Sequence, residues 1–294
     1  MESLRVLGTV GKATTRIMVD AIVRAAGRDL PEPVTVVLSP TAEAQEALAA
    51  VGDHRLVVNA DAVSTAGLPD STLTFGLSAT AALRASEVDA TIDGTEFLLT
   101  ADGTQHRVAL RLLGEHQVTG ALAAIAVALL SGIRLEVAIS ALEELTGLGP
   151  GRMEPLPAGN DILIINDAVS AGPLSVAAAL KTLALIAGGR RSVAVLGTVD
   201  APGEDPQQAH DRIGRLVVRL NVKKLVVVGH DARHIHNAAG LEGSWDGESV
   251  LVDSPTEAYD LLRDELRQED VVLVKSSEDT GLSTLADQLA GVVR

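Results

Sequence analysis

Short continuous apolar runs open this chain: LRVLG (4–8), PVTVVLS (33–39) and RLVVNAD (55–61). Between them lie stretches of helical spacing, from about Thr14 to Ala26 and at TAEAQEALAAV (41–51). Apolar runs alternating with helical stretches predict buried strands in βα units. From Glu87 the pattern becomes strict alternation. VDATIDGTEFLLTADGTQHRVALRL (88–112) is broken by Asp93-Gly94 and Asp102-Gly103, the dipeptides that close hairpins, which predicts a three-stranded antiparallel sheet over 87–112. Ala-rich helices are expected at 117–131 and 135–145.

GLGPGR (147–152) concentrates glycine and proline, and marks a domain boundary. Beyond it DILIIND, SVAVLG, KLVVVG, SVLVD and DVVLVKSS alternate with helices near 173–187, 206–220, 231–239, 255–267 and 280–292. This is the pattern of a doubly wound α/β domain, with ligands expected at the C-terminal ends of its strands. The expected organisation is α/β throughout, with a reduced domain over 1–147 carrying the antiparallel hairpins and a Rossmann-like domain over 151–294. Neither internal repeats nor a low-complexity tail breaks this picture.

Composition narrows the function classes. Hydrophobic residues make up 47% and aromatics 1%, so the cores must be built from Ala, Val, Leu and Ile. A net charge of −15 argues against nucleic acid or an anionic membrane as partner. The chain has no cysteine, which excludes disulfides, thiolate metal sites and Cys nucleophiles. MESLRVLG enters a strand directly, without the basic and apolar regions of a leader, and no apolar stretch is long enough to span a membrane. A cytoplasmic protein is the expectation.

The first strand leads into LGTVGKATTR (7–16), a glycine loop before a helix. Such a loop holds phosphates with backbone N–H groups and a Lys, and the Ser or Thr after the Lys ligates Mg²⁺. Gly8, Gly11 and Lys12 are in place, but Ala13 stands at the metal position. Thr14 or Thr15 offers a hydroxyl, although each residue along a helix turns the side chain by about 100°. Either the loop binds phosphate or its glycines persist for packing alone. His230, His234 and His236 invite a metal reading, but without further ligands they read as helix-start residues, and no metal site is assigned. The acidic stretch 200–205 reads as a solvated loop and Trp245 as a loop anchor.

LLGEHQVTGALAAIAVALLSGI (112–133), GPGRME (149–154), INDAVSAGPLSVAAALKTLA (165–184), RRSVAVLG (190–197), AHDRIGRL (209–216) and DVVLVKSS (270–277) occur in that order. Together they resemble the Mur ligases, most closely those that add D-alanyl-D-alanine. The resemblance implies ATP and Mg²⁺ as cofactors, an acyl-phosphate intermediate and attack by an amine. It implies a nucleotide site of Gly8, Gly11, Lys12, Thr14, His116, Arg152 and Asp167 in the cleft between the domains. Within that site Lys12 and Arg152 are phosphate contacts and Asp167 a ribose contact; His210 matches a further family His and joins Lys12 and Arg152 as a candidate catalytic residue.

Several family positions have changed. The adenine-side HNxxN motif reads His116-Gln117-Val118-Thr119-Gly120, DAYNANP reads DAVSAGP, and the KGSR turn reads Lys275-Ser276-Ser277-Glu278. A counterpart of the Mg²⁺-binding LEMG segment is missing, and no Lys lies between Ala13 and Leu180 to serve as the family's carbamylated metal ligand. The phosphate loop stands at the start, which leads to the expectation that the UDP-sugar domain is absent. These changes count against the metal and favour a non-catalytic descendant that binds a nucleotide or a partner enzyme, with self-association covering a truncated sheet; a small-molecule binder or transferase using only the C-terminal domain is a further reading. An active ATP-dependent carboxylate–amine ligase on a substrate other than a UDP-sugar is the alternative.

Overall fold

The computed structural model describes residues 4–30, 33–50, 55–277 and 280–291, and the chain divides into two compact units between Leu148 and Gly149. Unit 1 contains β1 (Leu4–Leu7), α1 (Lys12–Ala26), β2 (Val34–Val37), α2 (Ala42–Ala49), β3 (Arg55–Asn59), β4 (Leu73–Gly76), β5 (Leu83–Thr91), β6 (Gly94–Ala101), β7 (Thr104–Leu110), α3 (His116–Leu130) and α4 (Leu135–Glu143). Its seven strands form one sheet in chain order. Neighbours from β1 to β5 are parallel, and β5, β6 and β7 are antiparallel.

The hairpins therefore do not form a sheet of their own, as the alternation suggested. The link is β4, which the hydrophobic pattern did not flag because LTFG is only four residues inside a polar, turn-rich stretch. It pairs Phe75 with Leu83 and Gly76 with Arg84. Asp102 and Gly103 both take positive φ, 48° and 76°, as a two-residue hairpin turn requires.

One face of this sheet, with Val6, Val36, Val57 and Phe75, packs on Met18 and Ile22 of α1 and on Leu122 and Ile125 of α3. Helix α3 is apolar on every side and almost wholly buried, the mark of a central helix. The opposite face places Leu7, Val37, Leu56 and Val58 against Ala44 of α2. Burying such residues is worth about 1.5–3 kcal/mol each.

Unit 2 contains β8 (Glu154–Pro157), β9 (Leu163–Asp167), α5 (Pro173–Ala187), β10 (Ser192–Leu196), α6 (Pro206–Arg219), β11 (Lys224–Val228), α7 (Arg233–Gly240), β12 (Glu248–Val252), α8 (Pro255–Glu265), β13 (Val271–Lys275) and α9 (Leu282–Ala290). The strand order is β12-β11-β10-β13-β9-β8. All neighbours are parallel except β8, which runs antiparallel on β9. That strand also escaped the hydrophobic pattern. Its sequence EPLP carries two prolines, which lack the N–H of a ladder and suit an edge.

Helices α8 and α9 cover the face formed by Ile164, Val193, Val195, Val226, Val272 and Val274, while α5 and α7 contact the strands with their own buried residues. Proline begins α5, α6 and α8; Asp205 and Ser254 cap the last two, accepting from Gln207 and Glu257 N–H groups. The sheet gathers the C-terminal ends of β9, β13 and β10 on one edge. Among the described residues no helix is long and apolar enough to cross a membrane.

Candidate functional site

In unit 1 the glycine loop bridges β1 and α1. Gly8 has φ 147°, and a Cβ there would lie 2.9 Å from Leu38 Cβ and 3.2 Å from the Ser39 nitrogen, so only glycine lets the loop lie against the end of β2. Gly11, at φ 83°, turns the chain into the helix. Lys12 is exposed, and its Nζ donates to the Gly8 carbonyl at 2.6 Å. The Thr9 N–H donates to Ser39 Oγ at 2.9 Å. Sequence reasoning missed Ser39; its only signal was its place at the end of the neighbouring strand.

These groups fit a phosphate: a cradle open only to glycine, a helix N-terminus and an exposed ammonium. They do not fit the metal. Ala13 offers a methyl group at the position next to Lys12. Thr15 is buried with its Oγ1 unpartnered, and a Cβ on Gly120 of α3 would lie 3.2 Å from both Thr14 Cγ2 and Met18 Sδ. Helices α1 and α3 thus close together where the resemblance places an adenine-side Asn. His116 Nε2 and Gln117 Nε2 lie 3.0 Å apart, and Gln117 also donates to the Leu113 carbonyl at 3.3 Å. Since the amide is a donor, His116 Nε2 is the acceptor.

At the same sheet edge Asn59 donates to the Leu38 carbonyl at 3.0 Å. Asp61 accepts the N–H groups of Leu77 and Ser78 at 2.6 and 2.8 Å.

In unit 2 the strand ends hold a charged cluster. Asp167, the last residue of β9, accepts from Lys275 Nζ at 2.6 Å through Oδ2 and from the Met153 N–H at 3.0 Å through Oδ1. Burial pushes the Asp167 carboxyl above its ordinary range, while Lys275, the Met153 N–H and Arg152 pull it down. Lys275 ends β13, is 1% exposed, and also donates to the Ser170 carbonyl at 2.7 Å. Lys275 was read from sequence only as part of a family turn, and its burial against Asp167 was not foreseen. Arg152 is half-buried on the turn before β8. Glu278 lies outside the described residues.

His210 on α6 is 3% exposed and its Nε2 accepts the Val199 N–H at 3.1 Å. The ring therefore carries its proton on Nδ1 and pins the segment after β10. Burial, followed by the nearby His234, holds it below its ordinary pKa. His236 Nδ1 is 2.7 Å from Ser249 Oγ, and among the described residues no three His, Cys, Asp or Glu side chains group as metal ligands. Trp245 donates to the Val222 carbonyl at 2.9 Å, and Glu204 of the acidic loop pairs with Arg212.

Comparison with known proteins adds the following. Residues 151–278 match the model described as "Mur ligase, glutamate ligase domain" and residues 42–128 the "Mur ligase middle domain"; the glycine loop precedes the second match. The UDP-N-acetylmuramoyl-tripeptide–D-alanyl-D-alanine ligase of Mycobacterium tuberculosis is 43% identical over 210 residues, covering 66% of this chain and 41% of that protein. The enzyme of the same name from Escherichia coli is 28% identical over 168 residues, covering 57% and 36%. The chain thus spans about two fifths of the length of these relatives. Among solved structures, MurF from Acinetobacter baumannii superposes with a TM-score of 0.79 at 21% identity, covering 98% of this chain and 76% of that one. MurF from Thermotoga maritima, in complex with ADP, gives 0.76 at 16% identity, covering 98% and 79%. These two establish a shared fold.

Proposed function

The chain belongs to the Mur ligase family, and from that premise we propose that it is a cytoplasmic descendant that binds a nucleotide or polyphosphate without carrying out metal-dependent acyl-phosphate chemistry. The observation that carries this reading is the state of the loop and its surroundings. Lys12 and the glycine cradle suit phosphate, yet Ala13 gives no metal oxygen, and a Cβ added to Gly120 of α3 would stand in tight contact, 3.2 Å from Thr14 Cγ2 and Met18 Sδ of α1. In this reading Lys12 would neutralise phosphate charge and the loop N–H groups would orient it.

Calorimetry with ADP and ATP, with and without Mg²⁺, tests the proposal. The expected result is weak binding that Mg²⁺ does not strengthen and that Lys12→Ala abolishes. ADP release requiring both D-alanyl-D-alanine and a UDP-muramoyl tripeptide would overturn it.

The second reading, an active carboxylate–amine ligase acting on another substrate, draws support from the retained Lys12, Arg152 and Asp167. It predicts ADP release with an acid and an amine other than those two, and loss of that release in Arg152→Ala.

A further inference from the structure

In helix α5 only Ser175, Lys181 and Thr182 are polar, and Thr182 is buried. A helix that is apolar all round belongs in an interior. In unit 2 only its inner face is covered. Val176, Leu180, Leu183 and Ile186 are buried, whereas Leu174 and Leu185 are 60% and 47% exposed. The next helix, α6, keeps to the ordinary pattern and turns Arg212, Arg215 and Arg219 to water. We infer that the outer stripe of α5 is an interface, occupied by α5 of a second copy of this chain, packed antiparallel about a two-fold axis.

The order of residues along the stripe carries the choice of occupant. Leu174, Ala178, Lys181 and Leu185 are spaced 4, 3 and 4 residues apart, the spacing of a seam between two helices. It reads the same in both directions. An antiparallel copy centred between Ala179 and Leu180 therefore sets Leu174 against Leu185 of the second copy, and Ala178 against its Lys181. Each copy meets the other through the same residues, as a two-fold interface requires. The stem of Lys181 lies over alanine while its ammonium reaches water, and a single Lys in an apolar seam fixes the register.

Charge points the same way. The Asp200 N–H donates to the Ala171 carbonyl at 3.0 Å, which fastens the exposed start of the acidic segment 200–205 beside the N-terminal end of α5. Past the other end, Arg190 donates to the carbonyls of Glu269 and Asp161, neutral acceptors that leave its charge uncompensated. Antiparallel packing brings the acidic end of one helix to the basic end of the other, whereas parallel packing would set like charges together. A 15-residue helix is about 22 Å long. Such a strip is smaller than the ~800 Å² per partner of a standard interface, so the association is weak and reversible.

This inference does not depend on nucleotide binding, and its test uses the full chain without ligand. Sedimentation equilibrium between about 10 and about 500 µM should show a monomer–dimer equilibrium with a Kd of about 10–100 µM. Leu174→Lys and Leu185→Glu change exposed positions, and circular dichroism and thermal melting check that each variant folds. Either alone should weaken self-association at least about ten-fold, because the two-fold axis repeats the damage at both contacts. Mixed in equal amounts, the two should pair at least as tightly as wild type, since one contact becomes Lys against Glu and the other stays Leu against Leu. A wild type that is monomeric throughout, a dimer that neither variant weakens, or a mixture that stays apart overturns the proposal.

Orientation has its own readout, because the chain has no cysteine. Leu174→Cys mixed with Leu185→Cys should give the mixed disulfide. Leu174→Cys should not cross-link to itself, since those positions lie about 16 Å apart along the antiparallel pair. Rapid self-cross-linking of Leu174→Cys would show parallel packing and overturn the proposal.

Discussion

His210 Nε2 accepts the Val199 N–H at 3.1 Å, so the segment following β10 depends on a neutral imidazole. Burial, with His234, lowers this pKa from 6.5, against the pull of Asp211 and Asp231. In the window between the lowered folded value and 6.5 the unfolded chain holds a proton that the folded chain does not. Stability therefore rises with pH across that window and is flat above it. Urea midpoints measured at about pH 7.5 and about pH 5.5 should fall toward acid more steeply in wild type than in His210→Gln, whose amide does not titrate. Parallel curves would show that another group carries the dependence.

Lys224 supplies a contrast in charge burial. Its side chain is 1% exposed, whereas its partners Glu248 and Glu265 are 61% and 37% exposed. Removing both carboxylates strands an ammonium; removing the ammonium returns two carboxylates to water. Glu248→Gln with Glu265→Gln should cost about 3–5 kcal/mol in urea unfolding, and Lys224→Met no more than about 1 kcal/mol.

At the α1–α3 seam, Gly120→Asn restores the residue type that the family resemblance expects and should not restore adenine binding. A Cβ alone would stand 3.2 Å from Met18 Sδ and Thr14 Cγ2, so those two side chains must give way to admit the amide. A loss of about 1–3 kcal/mol is expected from overpacking, and calorimetry with ATP should detect no gain. A gain in affinity without loss of stability would mean that the seam opens freely.

Thr15 presents the opposite case. Its hydroxyl is buried and unpartnered beside that seam. Thr15→Val keeps the shape and removes the unsatisfied group, so it should stabilise by about 1 kcal/mol. Destabilisation in chemical unfolding would reveal a partner for the hydroxyl.

The sequence announced most of the fold because its strands are long apolar runs and its hairpins carry Asp-Gly turns. It concealed β4 and β8, where four residues of mixed character become strands only through their neighbours: β4 by joining β5, β8 by lying on β9. The glycine loop of unit 1 and Arg152 of unit 2 were each legible as motifs. The closeness of Asp167 to Lys275 was not, since they lie more than one hundred residues apart and meet only because β9 and β13 are adjacent. Ser39 was hidden for the same reason on a smaller scale, as its contact with Thr9 exists only once β1 and β2 pair.

The two sheets also differ in when they can be completed as the chain is made. Every strand of unit 1 pairs with the next one along the chain, so its pairings close short loops and can form as the polypeptide emerges. Unit 2 is built around an interior gap: β13, the last strand among the described residues, belongs between β10 and β9. Until it arrives, β9 and β10 have open sides and the core valines under α8 have no partner in the middle of the sheet. A ribosome-bound chain that ends before Val271 should therefore leave unit 2 protease-sensitive while unit 1 is folded, and the arrival of β13 converts that unit from a chaperone client into a native domain.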